Sequence, residues 1–180
     1  MIDLRNKKVA IIGNAQYLFN RQYGREIDNH DIIIRMNRAA ILYTNKYDYY
    51  THGSKTDIWA MWRYNEYENV TYIKEPKYVI QMAYWEECNA SHINYYEPDK
   101  LYNLINISGC KVPSTGLMML DWVSYFDTSK VSVYGFDWKT TPTFTDPNRA
   151  IDKDMSHDFK KEKETCYNYF MKEKKYTFRF

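Results

Sequence analysis

Residues 156–162 read SHDFKKE and place an imidazole, His157, five positions ahead of a carboxylate, Glu162. An imidazole titrates closer to neutrality than any other side chain, so His157 suits a general base that removes a proton from a hydroxyl. The same pattern also marks the start of a surface helix, and a base needs a substrate delivered to it. Four upstream points can deliver one: Gly13-Asn14 after the apolar run KVAII, Asn37 after DIIIRM, Ser114-Thr115-Gly116 opening a helix, and Gly135 in KVSVYGFD. Strand ends and helix starts leave backbone N–H groups free, and a helix start carries partial positive charge, so such places hold phosphate. Each piece alone is an ordinary turn or cap. Convergence of all four on one nucleotide is the functional expectation.

The elements that must position these residues follow from hydrophobic periodicity. KVAII (8–12) and DIIIRM (31–36) have the length and β-branched content of buried strands, with weaker candidates in TDIWAM (56–61) and KYVIQMA (77–83). KVSVYGFD (130–137) reads as another buried strand, and the terminal TFRF as a short edge strand. PDKLYNLINI (98–107) opens with Pro at a first helical turn and puts Leu101, Leu104 and Ile105 on one face. PSTGLMMLDWVSYF (113–126) is a helix entered through Ser114 and Thr115 as capping residues. The last helix runs from about Asp158 to Lys172, with Phe159, Cys166, Tyr167 and Phe170 as its apolar stripe. Strands alternating with helices predict an α/β fold: one domain over residues 1–180, Rossmann-like, with a mostly parallel sheet covered by helices on both faces.

The bulk numbers narrow the function classes. At 180 residues the chain is long enough for one domain and short for two. With 25 Lys and Arg against 23 Asp and Glu, no broad electrostatic footprint for nucleic acid or membrane exists. No run approaches the ~18 apolar residues of a membrane span, and MIDLRNKK leads into a strand without an apolar signal segment, so the expected location is cytoplasmic. Cys88, Cys110 and Cys166 form no C-x-x-C pair, which suits neither a disulfide framework nor a zinc site. The sequons at Asn69, Asn89 and Asn106 carry no weight without a secretory route. The G-x-G-x-x-G fingerprint and the Walker loop are both absent, which leaves a nucleotide site built from Asn side chains and a Ser/Thr cap.

At this point three stretches carry a resemblance. VAIIGNAQYL with YGREIDNHDIIIRMNRA resembles the large sialylmotif of the glycosyltransferase family 29 sialyltransferases. PSTGLMML with VSVYGF resembles the small motif of that family, and SHDFKKE resembles its very small motif, H-x-x-x-x-E. The resemblance implies inverting transfer of sialic acid from CMP-sialic acid to a sugar hydroxyl of a glycan acceptor, on an α/β sheet of the sialyltransferase GT-A type. Carried over, Asn14 and Asn37 hold the cytidine monophosphate portion, Gly13, Ser114, Thr115, Gly116 and Gly135 line the nucleotide, and His157 takes the acceptor proton. No metal or other cofactor is expected, because the leaving group is a stable phosphate anion that donors and dipoles can meet. Two alternatives stay open: a transferase for another CMP-activated keto-sugar acid, or a non-catalytic nucleotide- or glycan-binding module of the same fold.

The sequence also departs from the family. The places of its paired cysteines are Val9 and Thr128 here. The family's short His-plus-aromatic motif between the small and very small motifs has no counterpart, since 137–155 contains no histidine; Lys139, a Thr or a Tyr is left to take its place at the phosphate. Asp152-Lys153-Asp154 suits a helix-start role better than a metal-binding D-x-D, and 138–154 has the composition of a long loop. His30 is expected to organise a turn, and His52 and His92 to lie in loops. Tyr43, Tyr47, Tyr49, Tyr50, Trp59, Trp62, Tyr64 and Tyr67 are expected to be packing residues or, near the mouth, sugar-stacking platforms.

Overall fold

A computed structural model describes residues 2–40, 49–63, 76–83, 93–143 and 156–180. Among them, seven strands form one parallel sheet: β1 (Lys8–Ile12), β2 (Ile32–Met36), β3 (Ile58–Met61), β4 (Tyr78–Gln81), β5 (Ile93–Tyr95), β6 (Lys130–Tyr134) and β7 (Tyr176–Arg179), in the order β5-β4-β3-β2-β1-β6-β7. The chain winds outward from β1 to β5, then returns to place β6 on the other side of β1. This reversal between β1 and β6 opens a crevice beyond their carboxyl ends.

The apolar runs are continuous because both faces are covered. On β1, Val9 and Ile11 pack in a cluster with Leu101 and Leu104 of α3 (Pro98–Ser108) and Leu117, Met118 and Leu120 of α4 (Thr115–Ser124). Ala10 and Ile12 point the other way, to Leu18 and to Ile27 of the short α1 (Gly24–Asp28). The fold is therefore the expected α/β sheet with helices on both faces. Among the described residues no helix is long and apolar enough to cross a membrane.

Several boundaries differ from the sequence expectation for local reasons. β6 stops at Tyr134 because Gly135 turns to φ +70. β5 has only three residues, too few for periodicity to show. The last helix is α only from Phe159 to Thr165 (α5) and continues as a π turn, Cys166–Phe170. The wider turn rotates the stripe, so Cys166 and Phe170 are buried while Tyr167 is exposed. The TFRF segment does form an edge strand, β7, parallel to β6.

His52 lies not in a loop but in a four-residue helical turn, α2 (Tyr49–His52), buried against the edge of the Phe19 ring. Its carbonyl accepts from the buried Arg35 guanidinium at 2.7 Å, which fixes the chain below β2. Trp59 is in the core, whereas Tyr49 and Tyr50 are exposed. Tyr43, Tyr47, Tyr64, Tyr67, Cys88, His92 and the Asp152–Asp154 stretch lie outside the described residues.

At the crevice, Gly13 N–H donates to the Tyr134 carbonyl at 2.7 Å and Ala15 N–H to the Gly135 carbonyl at 3.1 Å. The two glycines meet backbone to backbone: a Cβ on Gly135 would sit 2.7 Å from the Gly13 carbonyl oxygen, and one on Gly13 would overlap the Gly135 carbonyl. Gly13→Ala should therefore cost about 2–3 kcal/mol through overpacking, read as a lowered urea midpoint by circular dichroism; an unchanged midpoint would show that the crossing can relax.

Candidate active site

A cleft of about 770 Å³ opens at the carboxyl edge of the sheet, where β1, β2 and β6 end. Its wall contains every residue singled out from the sequence: Gly13, Asn14, Asn37, Ser114, Thr115, Gly116, Gly135 and His157. Segments up to 144 residues apart in the chain (Gly13 to His157) thus share one cavity.

On the β1 side, the Asn14 side-chain oxygen is buried with no hydrogen-bond partner among the described residues. A bound molecule offering an N–H or O–H there would satisfy it. Asn37 follows β2 at φ 48, a left-handed conformation that Asn tolerates better than other side chains. Its side-chain oxygen accepts from Trp62 N–H at 3.0 Å and its carbonyl from Trp59 Nε1 at 2.8 Å, while its amide nitrogen lies 3.4 Å from Thr115 Oγ1. Asn37 thereby ties the ends of β2 and β3 to the start of α4.

Ser114 is the N-cap of α4, with its Oγ accepting from Leu117 N–H at 3.2 Å. Gly116 leaves room for the Phe136 ring, whose Cε1 would lie 3.0 Å from any Cβ placed there. The cap itself is held by Glu162: Ser114 N–H donates to Oε1 at 2.7 Å and Ser114 Oγ to Oε2 at 2.6 Å. So Glu162, at 3% exposure on α5, fixes the start of α4.

His157 stands just before α5, ahead of the N-cap Asp158, which accepts from Lys161 N–H at 3.1 Å. Its Nδ1 lies 2.8 Å from the Val112 carbonyl. A carbonyl only accepts, so Nδ1 carries the proton and Nε2 keeps its lone pair. A backbone group rather than a carboxylate thus fixes the tautomer of the imidazole.

Opposite, Asp137, Trp138, Lys139 and Thr140 form a tight turn closed by Thr140 N–H to the Asp137 carbonyl at 3.2 Å. Trp138 (φ 52) and Lys139 (φ 63) are both left-handed without being glycine, a conformation that costs about 1–2 kcal/mol per residue. The Asp137 carboxylate offsets this by accepting from Lys139 N–H at 3.0 Å, Thr141 N–H at 2.8 Å and Thr141 Oγ1 at 2.5 Å. Tyr17 locks the adjoining Gly135: its hydroxyl accepts from Gly135 N–H at 2.8 Å and donates to the Arg179 carbonyl at 2.5 Å.

His30 does organise a turn. Nδ1 meets the Glu26 and Ile27 carbonyls at 2.9 and 3.1 Å, and Nε2 the Ser132 hydroxyl at 2.9 Å. Cys110 and Cys166 are free and buried, and burial pushes the Cys166 thiol up to about 12. Sequence reasoning did not find Val112 or Asp137. The first acts through its carbonyl, which no residue type announces, and the second closes a turn lacking the usual glycine.

The comparisons bear on what this cleft is. Residues 3–74 match the family Glycosyltransferase family 29 (sialyltransferase). The matched stretch carries β1, β2 and β3. Over 33 residues, 18% of this chain, it is 48% identical to a CMP-N-acetylneuraminate-beta-galactosamide-alpha-2,3-sialyltransferase of Gallus gallus, a stretch that covers 10% of that protein. Among solved structures, a mammalian sialyltransferase in complex with Gal-beta-1-3GalNAc-ortho-nitrophenol superposes with a TM-score of 0.63 at 18% identity, covering 89% of this chain and 65% of that one. The sialyltransferase CstII from Campylobacter jejuni with the substrate analogue CMP-3FNeuAc gives 0.55 at 16% identity, covering 96% and 78%. CST-II with a trisaccharide acceptor and CMP gives 0.57 at 16% identity, covering 91% and 78%. At these identities the likeness to these sialyltransferase structures is one of fold. The match to the Gallus gallus protein spans a tenth of its length.

Burial pushes the Glu162 carboxyl above its ordinary range, against the two Ser114 hydrogen bonds and the neighbouring His157, which pull it down. The folded state thus holds this proton more tightly than the unfolded chain does. The group's contribution is full below the ordinary carboxylate range and is lost as pH rises through the raised folded value. The urea-midpoint advantage of the parent over Glu162→Gln should therefore shrink as pH rises above the ordinary carboxylate range; an advantage that grows with pH would show that the hydrogen bonds outweigh burial.

Proposed function

We propose that this chain is a sialyltransferase-like glycosyltransferase that transfers sialic acid from CMP-sialic acid to a sugar hydroxyl with inversion. The observation that carries the reading is the His157 imidazole, held by Val112 so that Nε2 is the basic nitrogen, in one cleft with the capped start of α4. A single displacement asks for that pair: a base for the acceptor proton and an anion cradle for the departing phosphate. The family match and the CMP-bound structures of the same fold support this assignment.

In this reading the cytidine monophosphate lies across the β1/β6 crevice. The unpartnered Asn14 oxygen meets a donor of the nucleotide, and Ser114, Thr115 and Gly116 turn the N–H groups at the start of α4 toward the phosphate. Gly13 and Gly135 form the floor, and Asn37 shapes the wall, since its oxygens already accept from Trp62 and Trp59. The acceptor oxygen attacks the anomeric carbon, its proton passes to His157 Nε2, and CMP departs. The reaction needs no metal, because the departing phosphate is already a weak base that backbone donors can accommodate.

His157→Ala should lower transfer from CMP-sialic acid to a galactosyl acceptor by about 10²–10⁴-fold, with CMP affinity within about threefold of the parent's, since the ring is not part of the anion cradle. The measurement is CMP release with and without acceptor, beside calorimetric CMP titration. Parental turnover in the variant would sink the base assignment, and CMP binding without turnover of any donor in the parent would favour a binding module.

A further inference from the structure

A smaller cavity, of about 390 Å³, adjoins the cleft, with Asp137 and Trp138 in the walls of both. Neither Asn14, nor the start of α4, nor His157 takes part in it. Its walls combine aromatic rings with cations. The Trp138 ring lies near-parallel to Tyr167 at a centroid distance of 6.4 Å and tilted to Phe180 at 5.8 Å. Tyr167 and Phe180 are each half exposed, so apolar ring surface is left bare at this place.

Two cations frame the rings. The Lys163 Nζ lies 5.5 Å from the centroid of the Trp138 ring, and the exposed Arg21 stands on the β1 side. Neither forms an ion pair among the described residues. The acid in the wall, Asp137, spends its carboxylate on Lys139 N–H, Thr141 N–H and Thr141 Oγ1. The cavity therefore presents net positive charge beside bare rings, which calls for an anion with an apolar face.

We propose that this cavity is a second saccharide site, which takes an acidic sugar of a glycan. A sugar ring would lay its C–H face on Tyr167 and Phe180, while its carboxylate meets the planar Arg21 guanidinium and the Lys163 ammonium. The exposed Thr140 adds a hydroxyl at the rim. A volume near the low end of ligand-sized cavities, roughly 300–1,000 Å³, suits a sugar better than a run of peptide. The choice of a glycan rests on the transfer reading proposed above, whereas the rings and charges stand without it.

The test is an NMR titration of the full chain with 3′-sialyllactose, with lactose and with a tetra-aspartate peptide. Arg21→Gln should weaken 3′-sialyllactose about tenfold and leave lactose within about twofold of the parent. Tyr167→Ala should weaken 3′-sialyllactose about fivefold, with Tyr167→Phe retaining most of the affinity. Both residues are exposed, so parental melting temperatures confirm that the variants fold. A parent that does not bind 3′-sialyllactose, or parental affinity in either Arg21→Gln or Tyr167→Ala, overturns the site. Equal binding of the peptide overturns its assignment to a saccharide. Transfer from CMP-sialic acid to lactose is measured beside these and should be parental in both variants. If the variants lose 3′-sialyllactose while the parent transfers nothing, the site stands and the transfer reading fails; intact transfer with unmoved sugar affinity removes the site alone.

Discussion

Everything in the cleft depends on how closely β1 and β6 leave the sheet. Gly13 and Gly135 meet peptide to peptide, with Gly13 N–H on the Tyr134 carbonyl and Ala15 N–H on that of Gly135. The sheet order reverses there, yet the two exits stay in contact: Ala15 bridges Thr143, and Gln16 N–H donates to the Pro142 carbonyl at 3.2 Å. Side chains at the crossing would push the two exits apart. The glycines are thus explained first by backbone packing, and only the opening that results is available to a ligand.

Two carboxylates then fix the walls around that opening. Glu162 reaches from α5 to the N-cap of α4, so the segment carrying His157 and the helix start facing it move together. Asp137 closes the strained turn on the other wall. Both spend their oxygens on N–H and O–H donors of the scaffold. The acidic groups nearest the cavity among the described residues therefore act as struts, and the surface left for a ligand combines backbone groups and hydroxyls with apolar side chains such as Met36, Trp62 and Phe136. The π turn after α5 serves the same end, since it lets Cys166 and Phe170 bury against the sheet while α5 keeps Glu162 facing Ser114.

Much of this was legible in the sequence, and the reason is the parallel sheet. Strands buried on both faces need unbroken apolar runs such as KVAII and DIIIRM, and their ends coincide with Gly13 and Asn37. Because all strands run the same way, the residues at their carboxyl ends gather at one edge, so Asn14 and Asn37 could be grouped with the helix start at Ser114, while His157 joined them through the resemblance to the family's motifs. What escaped were features without a residue-type signature: the Val112 carbonyl under His157, the three-residue β5, and the glycine-free turn at Trp138-Lys139. His52 escaped for another reason. YYTHGSKTD has the composition of a loop, but the buried Arg35 guanidinium demands carbonyl acceptors, and meeting that demand draws His52 into the interior.

The way His157 is oriented is itself an electrostatic choice. A carboxylate behind an imidazole fixes the tautomer and stabilises the protonated ring, but it adds negative charge to the site. In a cleft proposed to take a phosphate and an acidic sugar, that charge would repel the substrate over the few ångströms where screening is weak. The Val112 carbonyl selects the same tautomer with a dipole instead of a charge. Glu162, five residues from His157, is kept off the cavity by both Ser114 hydrogen bonds. The carboxylate of the H-x-x-x-x-E pair thus shapes the start of α4, and the tautomer of the imidazole is set without help from an anion.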